Sequence, residues 1–266
     1  MAGLAVIGVH TPEFPFEKDA DNVRRALQHL DVGFPQVLDN DFAIWRAFDN
    51  HYWPALYLLD ARGRVRYHHF GEGEYEQSER AIQRVLEDSG GTRATGGDTL
   101  AAPLTATGFE WPADWQHLKS PEIYLGHDRG EGLASPGGAS LAKRRAYTVP
   151  ARLELNRWAL EGDWTIERQP AMLDSAAGRI VCRFHARDVH LVMGPARRDA
   201  RVRFRVSIDG RPPGPARGLD VEADGTGVVT GQRLYQLIRQ PGAIVDRSFE
   251  IGFLDAGVEA FAFTFG

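Results

Sequence analysis

The chain has a single cysteine, Cys182, among its 266 residues, and this scarcity excludes several classes of protein. One thiol cannot form a disulfide within the chain, a zinc site made only of cysteines, or a two-cysteine redox centre. Apolar runs are short as well, since none approaches the roughly 18 residues that a membrane-spanning helix requires. No basic segment followed by a long apolar stretch opens the sequence, so no secretion signal is visible.

Positive charge is not in excess either. The chain has 31 Lys and Arg against 36 Asp and Glu, a formal net charge of -5. This balance removes the usual electrostatic basis for binding nucleic acid or an anionic membrane. What the chain does have is an ordinary globular composition, with 43% hydrophobic and 25% charged residues, and enough length for two domains.

The composition and the hydrophobic pattern of the sequence change near residue 90. Residues 1–90 alternate between strand-like and helix-like patterns, and they carry 9 basic and 15 acidic side chains. A stretch rich in Gly, Thr, Ala and Pro follows, without hydrophobic periodicity, and predicts a linker over residues 91–118. Short alternating strands dominate residues 119–266. We therefore predict two domains, 1–90 and 119–266, joined by this linker.

The first domain is predicted to be an α/β unit. A continuous apolar run at 4–9 predicts a strand buried on both faces. Strands at 55–59 and 64–70 flank the turn Asp60-Ala-Arg-Gly63 and predict a hairpin. Apolar residues three and four apart predict helices at 16–30, after the capping residues 39–41, and at 78–86. With a short strand predicted at 34–38, the resulting order is β-α-β-α-β-β-α.

Several short stretches of this domain carry a family resemblance when taken together. They are Gly8-Val-His-Thr-Pro-Glu13, Leu38-Asp-Asn40, Tyr52-Trp-Pro-Ala55, Leu58-Leu-Asp60, Gly63 and Phe70-Gly-Glu-Gly73. In this combination, residues 2–90 resemble the thioredoxin-like part of the DipZ group within the TlpA-like redoxins. The segment after the linker resembles the carbohydrate-module-like β-sandwich that follows in DipZ proteins.

The resemblance implies an extracytoplasmic thiol–disulfide oxidoreductase of the cytochrome c biogenesis type, acting on protein thiols or disulfides. In that family, Trp53 and Pro54 correspond to the cis-proline loop, which faces the redox disulfide; locally they could also merely shape the entry to the next strand. His10 and Glu13 could line the same active-site edge, with a loop-anchoring role as the alternative.

The chain departs from the family at the redox centre. The family's Cys-X-X-Cys motif begins a helix that follows a strand, and both precede the strand matching residues 4–9. This sequence contains neither, and Cys182 lies in an alternating stretch that predicts a buried side chain. We therefore expect no catalytic residue, no cofactor and no metal site in this chain, and no redox activity from it alone.

The missing strand has a topological consequence. In a thioredoxin-like sheet it lies between the strands matching 4–9 and 55–59, so its absence would leave two unpaired edges and uncover Val6, Leu56 and Leu58. Three explanations remain open: a late-starting fragment of a longer chain, a half-sheet completed by another polypeptide, or a rearranged sheet in which the two strands close up. We favour the first.

The second domain is predicted to be an all-β sandwich of jelly-roll type. Its strands alternate strictly, as in Val202, Phe204, Val206 and Ile208, which face inward between arginines. Sugar-binding modules offer aromatic faces to pyranose rings, although aromatic residues in alternating strands are more often part of the core. The candidates for binding a polysaccharide are Trp158, Trp164, Tyr124, Tyr147 and Tyr235.

Three hypotheses for function follow from the sequence. The chain is part of a thiol–disulfide oxidoreductase, a non-enzymatic protein that binds a glycan or cell-wall polymer through the sandwich, or an interaction module without a ligand. A Cys-X-X-Cys motif encoded in frame upstream of Met1 would discriminate between the first two.

Overall fold

The computed structural model describes residues 3–89 and 111–266. The chain divides into Met1–Thr105, here named the N-terminal unit, and Ala106–Gly266, the C-terminal unit. Most of the predicted linker lies outside the described residues. The described part of the chain is mostly β. Among these residues, no helix combines the length and the apolar composition that a bilayer crossing requires.

The N-terminal unit consists of short strands and helices in the order that the sequence predicts. Its strands are β1 (Gly8–His10), β2 (Gln36–Leu38), β3 (Ala55–Leu59) and β4 (Val65–Phe70). Its helices are a 3-10 helix at Pro15–Lys18, α1 (Ala20–His29), α2 (Ala43–Ala47) and α3 (Tyr75–Asp88). The predicted helix at 16–30 is interrupted at Asp19, whose extended backbone and side chain cap α1 through the N–H of Asp21.

The first strand is shorter than the apolar run predicts. Only Gly8–His10 is paired, in parallel with Gln36–Leu38, and the preceding Leu4 and Val6 are exposed. Gly8 is required by the close approach of its neighbour, because a Cβ atom there would lie 2.1 Å from the side-chain oxygen of Gln36. A run that is apolar enough for a central strand therefore lies at the surface of this unit.

The second pair of strands is the predicted hairpin. Strands β3 and β4 are antiparallel, with Ala55 opposite Phe70. The turn is closed by Asp60, whose Oδ1 accepts the backbone N–H groups of Arg62 and Arg64 at 2.9 and 3.1 Å. An aspartate that satisfies the backbone of its own turn is a common way to fix a hairpin.

No strand hydrogen bonds join the two strand pairs in the described part of the N-terminal unit. Within the described residues, β1 bonds only to β2 and β3 only to β4, so the strands have not closed up. Val6 and Leu56 are 51% and 40% exposed, as the topology predicts. Leu58 is an exception, because it is only 8% exposed. It lies opposite Tyr67, on the hairpin face where the Tyr67 hydroxyl contacts Ser78 of α3 at 3.4 Å.

Strands make up nearly all of the regular structure in the described part of the C-terminal unit. They are β5 (Ile123–Tyr124), β6 (Arg144–Tyr147), β7 (Trp158–Ile166), β8 (Ala171–Leu173), β9 (Arg179–Phe184), β10 (Asp188–Pro195), β11 (Val202–Ile208), β12 (Thr226–Val229), β13 (Arg233–Arg239), β14 (Arg247–Phe253) and β15 (Val258–Phe265). Their order in the sheet is β12-β11-β14-β9-β7-β8-β15-β10-β13, with β5 beside β15 and β6 beside β7.

Strand β7 joins the two halves of this sheet. Its first part, from Trp158, pairs with β9, and its second part, from Trp164, pairs with β8. Between them Gly162 has a φ of +93°, and a Cβ atom there would lie 3.0 Å from the Cα atom of Gly178. Glycine is therefore needed where the shared strand changes its partner. The sheet curls at this strand, so that its two halves enclose a common core.

Aromatic contacts across the two halves form that core. Phe249 of β14 packs edge-to-face on Phe263 of β15, with ring centroids 5.9 Å apart, and both rings are fully buried. The predicted inward residues Val202, Phe204 and Val206 are buried too. Cys182 is 0% exposed within the same core, which confirms its prediction as a small buried side chain.

The end of the predicted linker is ordered against the C-terminal unit. Arg187 donates from Nη2 to the carbonyl oxygen of Pro112 at 2.8 Å, and the backbone N–H of Lys119 bonds to His185 at 3.0 Å. The guanidinium of Arg187 also lies 5.0 Å from the ring centroid of Trp111. Residues 111–118 therefore contribute contacts that their composition does not reveal.

We predict that a polypeptide of residues 119–266 folds on its own, because the curled sheet is complete within it. Extending it to begin at Trp111 should raise the free energy of unfolding by about 1–2 kcal/mol, through the cation–π and hydrogen-bond contacts of Arg187. Urea unfolding followed by circular dichroism measures both values. In the longer polypeptide, Trp111→Ala should remove most of the gain; an unfolded spectrum for 119–266 would contradict the boundary.

His190 should make the stability of the C-terminal unit depend on pH. Burial lowers the pKa of His190 to about 4, beside Gln236 and Thr264. Between pH 6.5 and 4 the unfolded chain binds a proton that the folded chain does not, so stability falls as the pH falls through this window. The loss should be on the order of 2–3 kcal/mol. In urea titrations at several pH values, His190→Gln should flatten this dependence, whereas His29→Gln, an exposed control, should retain it.

Candidate functional site

The loop before β3 lies against the end of β1. It contains Trp53 and Pro54, and the peptide bond between them is cis. The indole Nε1 of Trp53 donates to the carbonyl oxygen of Thr11 at 3.1 Å, and its ring centroid is 4.2 Å from that of Trp45. These contacts bring the start of β3 beside the end of β1, although no strand hydrogen bonds join the two.

A buried carboxylate organises the same region. Asp39, which follows β2, accepts the backbone N–H groups of Ile44 and Trp45 at 2.9 Å each and the hydroxyl of Thr11 at 3.2 Å. Burial acts to raise the pKa of Asp39, but these hydrogen bonds outweigh it and hold the pKa below its usual value. The charged side chain thereby ties the start of α2 to the end of β1.

His10 and Glu13 do not bond to each other. His10 donates from Nε2 to the carbonyl oxygen of Glu17 at 3.0 Å, and the backbone N–H of Glu13 donates to the carboxylate of Glu17 at 2.6 Å. Burial raises the pKa of Glu17, and the N–H groups of Phe14 and Glu13 oppose this shift. The geometry thus supports the loop-anchoring alternative for His10 and Glu13, with Glu17 as their common partner.

Asn50 also holds the loop that contains Trp53 and Pro54. Asn50 is buried, and its Oδ1 accepts the hydroxyl of Tyr57 at 3.2 Å, while its Nδ2 donates to the carbonyl oxygen of Tyr52 at 2.9 Å. Tyr52 and Trp53 nevertheless remain 55% and 44% exposed. The loop is therefore held by its polar contacts and presents two aromatic rings to solvent.

The described residues of the loop region include no thiol. Cys182 belongs to the C-terminal unit, where complete burial raises the pKa of its thiol and disfavours the thiolate that exchange requires. Among the described residues, no three His, Cys, Asp or Glu side chains converge as a metal site would need.

Four of the five aromatic residues predicted to bind a glycan belong to the core. Trp158, Trp164, Tyr147 and Tyr235 are at most 2% exposed. Three of their polar ends donate to backbone carbonyl oxygens: Trp158 Nε1 to Glu131 at 2.7 Å, Trp164 Nε1 to Glu161 at 2.8 Å and Tyr235 OH to Gly231 at 2.8 Å. Alternation in a strand shows which side chains share a face but not whether that face is covered. These four residues cannot stack on a sugar.

Tyr124 is the fifth candidate, and it is only half-buried. It lines an open cleft of about 590 Å³ together with Glu122, Arg157 and other residues. The guanidinium of Arg129 lies 3.5 Å from the centroid of its ring, so one ring face is already occupied. Tyr124 therefore offers a polar cleft wall rather than an open stacking surface.

Sequence reasoning missed several residues of these sites. Thr11, Asp39 and Asn50 organise the loop, and the only local signal was the tendency of Asp and Asn to bond to nearby backbone groups. It also missed Trp111 and Trp115, which are 52% and 57% exposed on the C-terminal unit. Both fall in the segment whose composition predicted a linker.

We predict that Asp39→Ala destabilises the N-terminal unit by about 1–2 kcal/mol, because it leaves the N–H groups at the start of α2 without their acceptor. The matched control is Asp41→Ala, an exposed aspartate two residues along, which should change the unfolding free energy by less than about 0.5 kcal/mol. Urea unfolding at neutral pH measures both. Equal effects of the two substitutions would contradict the role of Asp39.

Comparisons with known proteins find a matching family model and several relatives. Residues 120–266 match the family described as "Thioredoxin like C-terminal domain". Protein DipZ of Mycobacterium tuberculosis is 37% identical over 193 residues, which cover 73% of this chain and 27% of DipZ. Thiol-disulfide oxidoreductase YkuV of Bacillus subtilis is 30% identical over 86 residues, or 32% of this chain and 58% of YkuV.

A further relative is NHL repeat-containing protein 2 of Homo sapiens, which is 36% identical over 75 residues, or 28% of this chain and 10% of that protein. The chain spans about a quarter of the length of the DipZ proteins that it matches. The family match itself covers more than half of the chain. The chain therefore belongs to the thioredoxin-like C-terminal domain family and is related to the thiol–disulfide oxidoreductases.

Proposed function

We propose that the N-terminal unit is the substrate-facing part of a protein thiol–disulfide oxidoreductase, and that the reactive cysteine pair is contributed by polypeptide outside the described residues. The observation that carries this proposal is that β1 and β3 share no strand hydrogen bonds, although Trp53 before β3 bonds to Thr11 after β1. We interpret the unpaired edges as a gap that can receive a strand. A strand entering this gap would pair with both free edges. A thiolate at the end of that strand would then face the loop.

The added cysteine pair and the residues of this chain have different proposed roles. The added thiolate attacks a disulfide of the client protein, forms a mixed disulfide and releases one client sulfur as a thiolate; the second added thiol then displaces the other. The residues of this chain would hold the client peptide in an extended form beside the loop, where Tyr52 and Trp53 are exposed. Asp39 and Asn50 would keep that loop in place.

Exposed apolar surface supports the same proposal. Val6 and Val9 before and within β1, and Leu56 within β3, are each at least 40% exposed. Strands whose backbone edges and apolar side chains are both open readily accept another strand. The family resemblance further suggests an extracytoplasmic location and clients that contain thiols or disulfides. We also interpret the curled sheet of the C-terminal unit as a jelly-roll sandwich of the carbohydrate-module type.

The chain alone should not reduce insulin above the rate of its dithiothreitol background, because Cys182 is buried and has no partner thiol. Cys182→Ser should leave this result unchanged. Turnover by the chain that survives Cys182→Ser would refute the proposal that the cysteines come from elsewhere.

Fusing a strand and helix with a Cys-X-X-Cys motif from a thiol–disulfide oxidoreductase to the N-terminus should restore turnover. In this fusion, Trp53→Ala should lower insulin reduction about tenfold, through weaker peptide binding. Arg62→Ala in the exposed hairpin turn is the matched control and should not change it. Lower binding of an apolar dye by the fusion would show that the added strand covers the exposed apolar surface. If such a fusion still shows no turnover, the result counts against the proposed role.

A second candidate function is polysaccharide binding by the C-terminal unit, without catalysis. The observation that favours it is the pair of exposed tryptophans, Trp111 and Trp115, on this unit. An interaction module with no small ligand is the remaining alternative, and it is favoured if the fusion shows no turnover and the chain is not pulled down by insoluble cellulose, chitin or peptidoglycan.

A further inference from the structure

We propose that an aromatic cluster on the β3–β4 hairpin of the N-terminal unit recognises a basic side chain of the client peptide. The cluster consists of five rings from the end of α2, the loop before β3 and the hairpin itself, namely Phe48, Tyr52, Tyr57, His68 and Phe70. This inference deepens the proposed oxidoreductase function and rests on it. The ligand of the cluster is a lysine or arginine side chain close to the client's disulfide.

Strand pairing places three of the rings on one face of the hairpin. Tyr57 lies opposite His68, and Phe70 lies opposite Ala55, two residues before Tyr57. Because side chains alternate along a strand, this face is opposite to the one on which the hydroxyl of Tyr67 contacts α3. The hairpin therefore has one face towards α3 and another face that carries the rings.

Phe70 is at the centre of the cluster. Its ring centroid lies 4.9 Å from that of His68 and 5.0 Å from that of Tyr52, with the ring planes inclined by 40° and 35°. The ring of Tyr57 lies 5.9 Å away at an angle of 69°, and Phe48 packs edge-to-face on Tyr57 at 4.9 Å. The separations and orientations of the rings are thus set by their mutual contacts.

The aromatic surface of the cluster is open to a cation. Tyr52 and Phe70 are 55% and 37% exposed. Elsewhere in the chain an arginine covers a tyrosine, as Arg233 does at 3.7 Å from the ring centroid of Tyr235. Among the described residues, no lysine or arginine lies over a ring of the cluster. Ring faces attract cations that approach within about 6 Å, so a basic side chain from outside can make this contact.

The charge next to the cluster is negative. Asp49 directly follows Phe48, its side chain is 95% exposed, and its carboxylate lies 3.3 Å from Nε2 of His51. Burial and, after it, the negative charge of Asp49 raise the pKa of Tyr57, so this carboxylate is close enough to act on the cluster. Residues 1–90 carry 9 basic and 15 acidic side chains. This excess of negative charge attracts a basic segment and repels an acidic one.

Tyr52 connects the cluster to the loop that is proposed to hold the client. It directly precedes Trp53 and Pro54, and its carbonyl oxygen accepts a hydrogen bond from Nδ2 of Asn50 at 2.9 Å. A client peptide held beside Trp53 passes Tyr52, so a side chain close to its disulfide can contact the rings. The cluster would therefore select clients with a basic residue near the reactive cysteine.

The test uses the full chain and short fluorescent peptides with serine in place of cysteine, so that binding is measured without thiol exchange. The peptides share one Gly/Ser background and carry lysines, leucines or glutamates at the same positions. Fluorescence anisotropy at pH 8 should give about tenfold higher affinity for the lysine peptide than for the leucine peptide. This preference should shrink as NaCl rises from about 0.05 to about 0.5 M, because salt screens the charge of the exposed carboxylates.

Matched variants identify the groups that bind the peptide. Phe70→Leu keeps an apolar side chain without an aromatic face and should weaken binding of the lysine peptide about fivefold, whereas Tyr52→Phe keeps the ring and should bind normally. Asp49→Asn should weaken binding and reduce its salt dependence. Tyr75→Ala, which removes a 66% exposed ring on α3, is the control and should bind like the unaltered chain. Thermal unfolding establishes that each variant is folded.

The outcomes separate this inference from the proposed function. Equal or tighter binding of the leucine peptide would overturn the inference, as would lysine-peptide binding that Phe70→Leu and Asp49→Asn leave unchanged. If none of the three peptides binds, the inference fails, while insulin reduction by the fusion tests the proposed function separately. Selective binding of the lysine peptide together with a fusion that lacks turnover would refute the role of the cluster in client recognition.

Discussion

Backbone pairing along strand edges is the constraint on which both units depend. In the C-terminal unit, the inner strands have a neighbour on each side, and the two halves of the sheet meet at β7. The apolar face that this pairing creates is therefore closed around Phe249 and Phe263. In the described part of the N-terminal unit, each strand has a single neighbour. Many of its apolar residues remain in contact with water, although a few, such as Leu58 and Ala81, are buried.

The order of the N-terminal unit is maintained by polar contacts rather than by a large core. Asp39 joins α2 to the end of β1, and Trp53 is bonded to Thr11 across the same junction. These contacts place the loop before β3 without requiring the strands themselves to pair. The loop is thus held in place by its own side-chain contacts.

The two candidate functions belong to different units and do not compete. Thiol–disulfide exchange would use the open edges of the N-terminal unit, and polysaccharide binding would use an anchored surface segment of the C-terminal unit. The buried Asp188 links this second site to the fold, because its two arginines also support Trp111.

Local patterns in the sequence were sufficient to predict features that depend on residues close together in the chain. The hairpin of β3 and β4 follows from its turn, and the inward faces of Val202 and Phe204 follow from the two-residue period of a strand. The absence of a second cysteine settled by itself that this chain has no internal redox pair. Only the tertiary structure decided which aromatic faces reach solvent. Trp158 lies in an alternating strand and is buried. Trp111 lies in a stretch without periodicity and is half-exposed, with the guanidinium groups of Arg187 and Arg239 beside its ring. Exposure depends on what packs against a face, and residues distant in sequence supply those contacts.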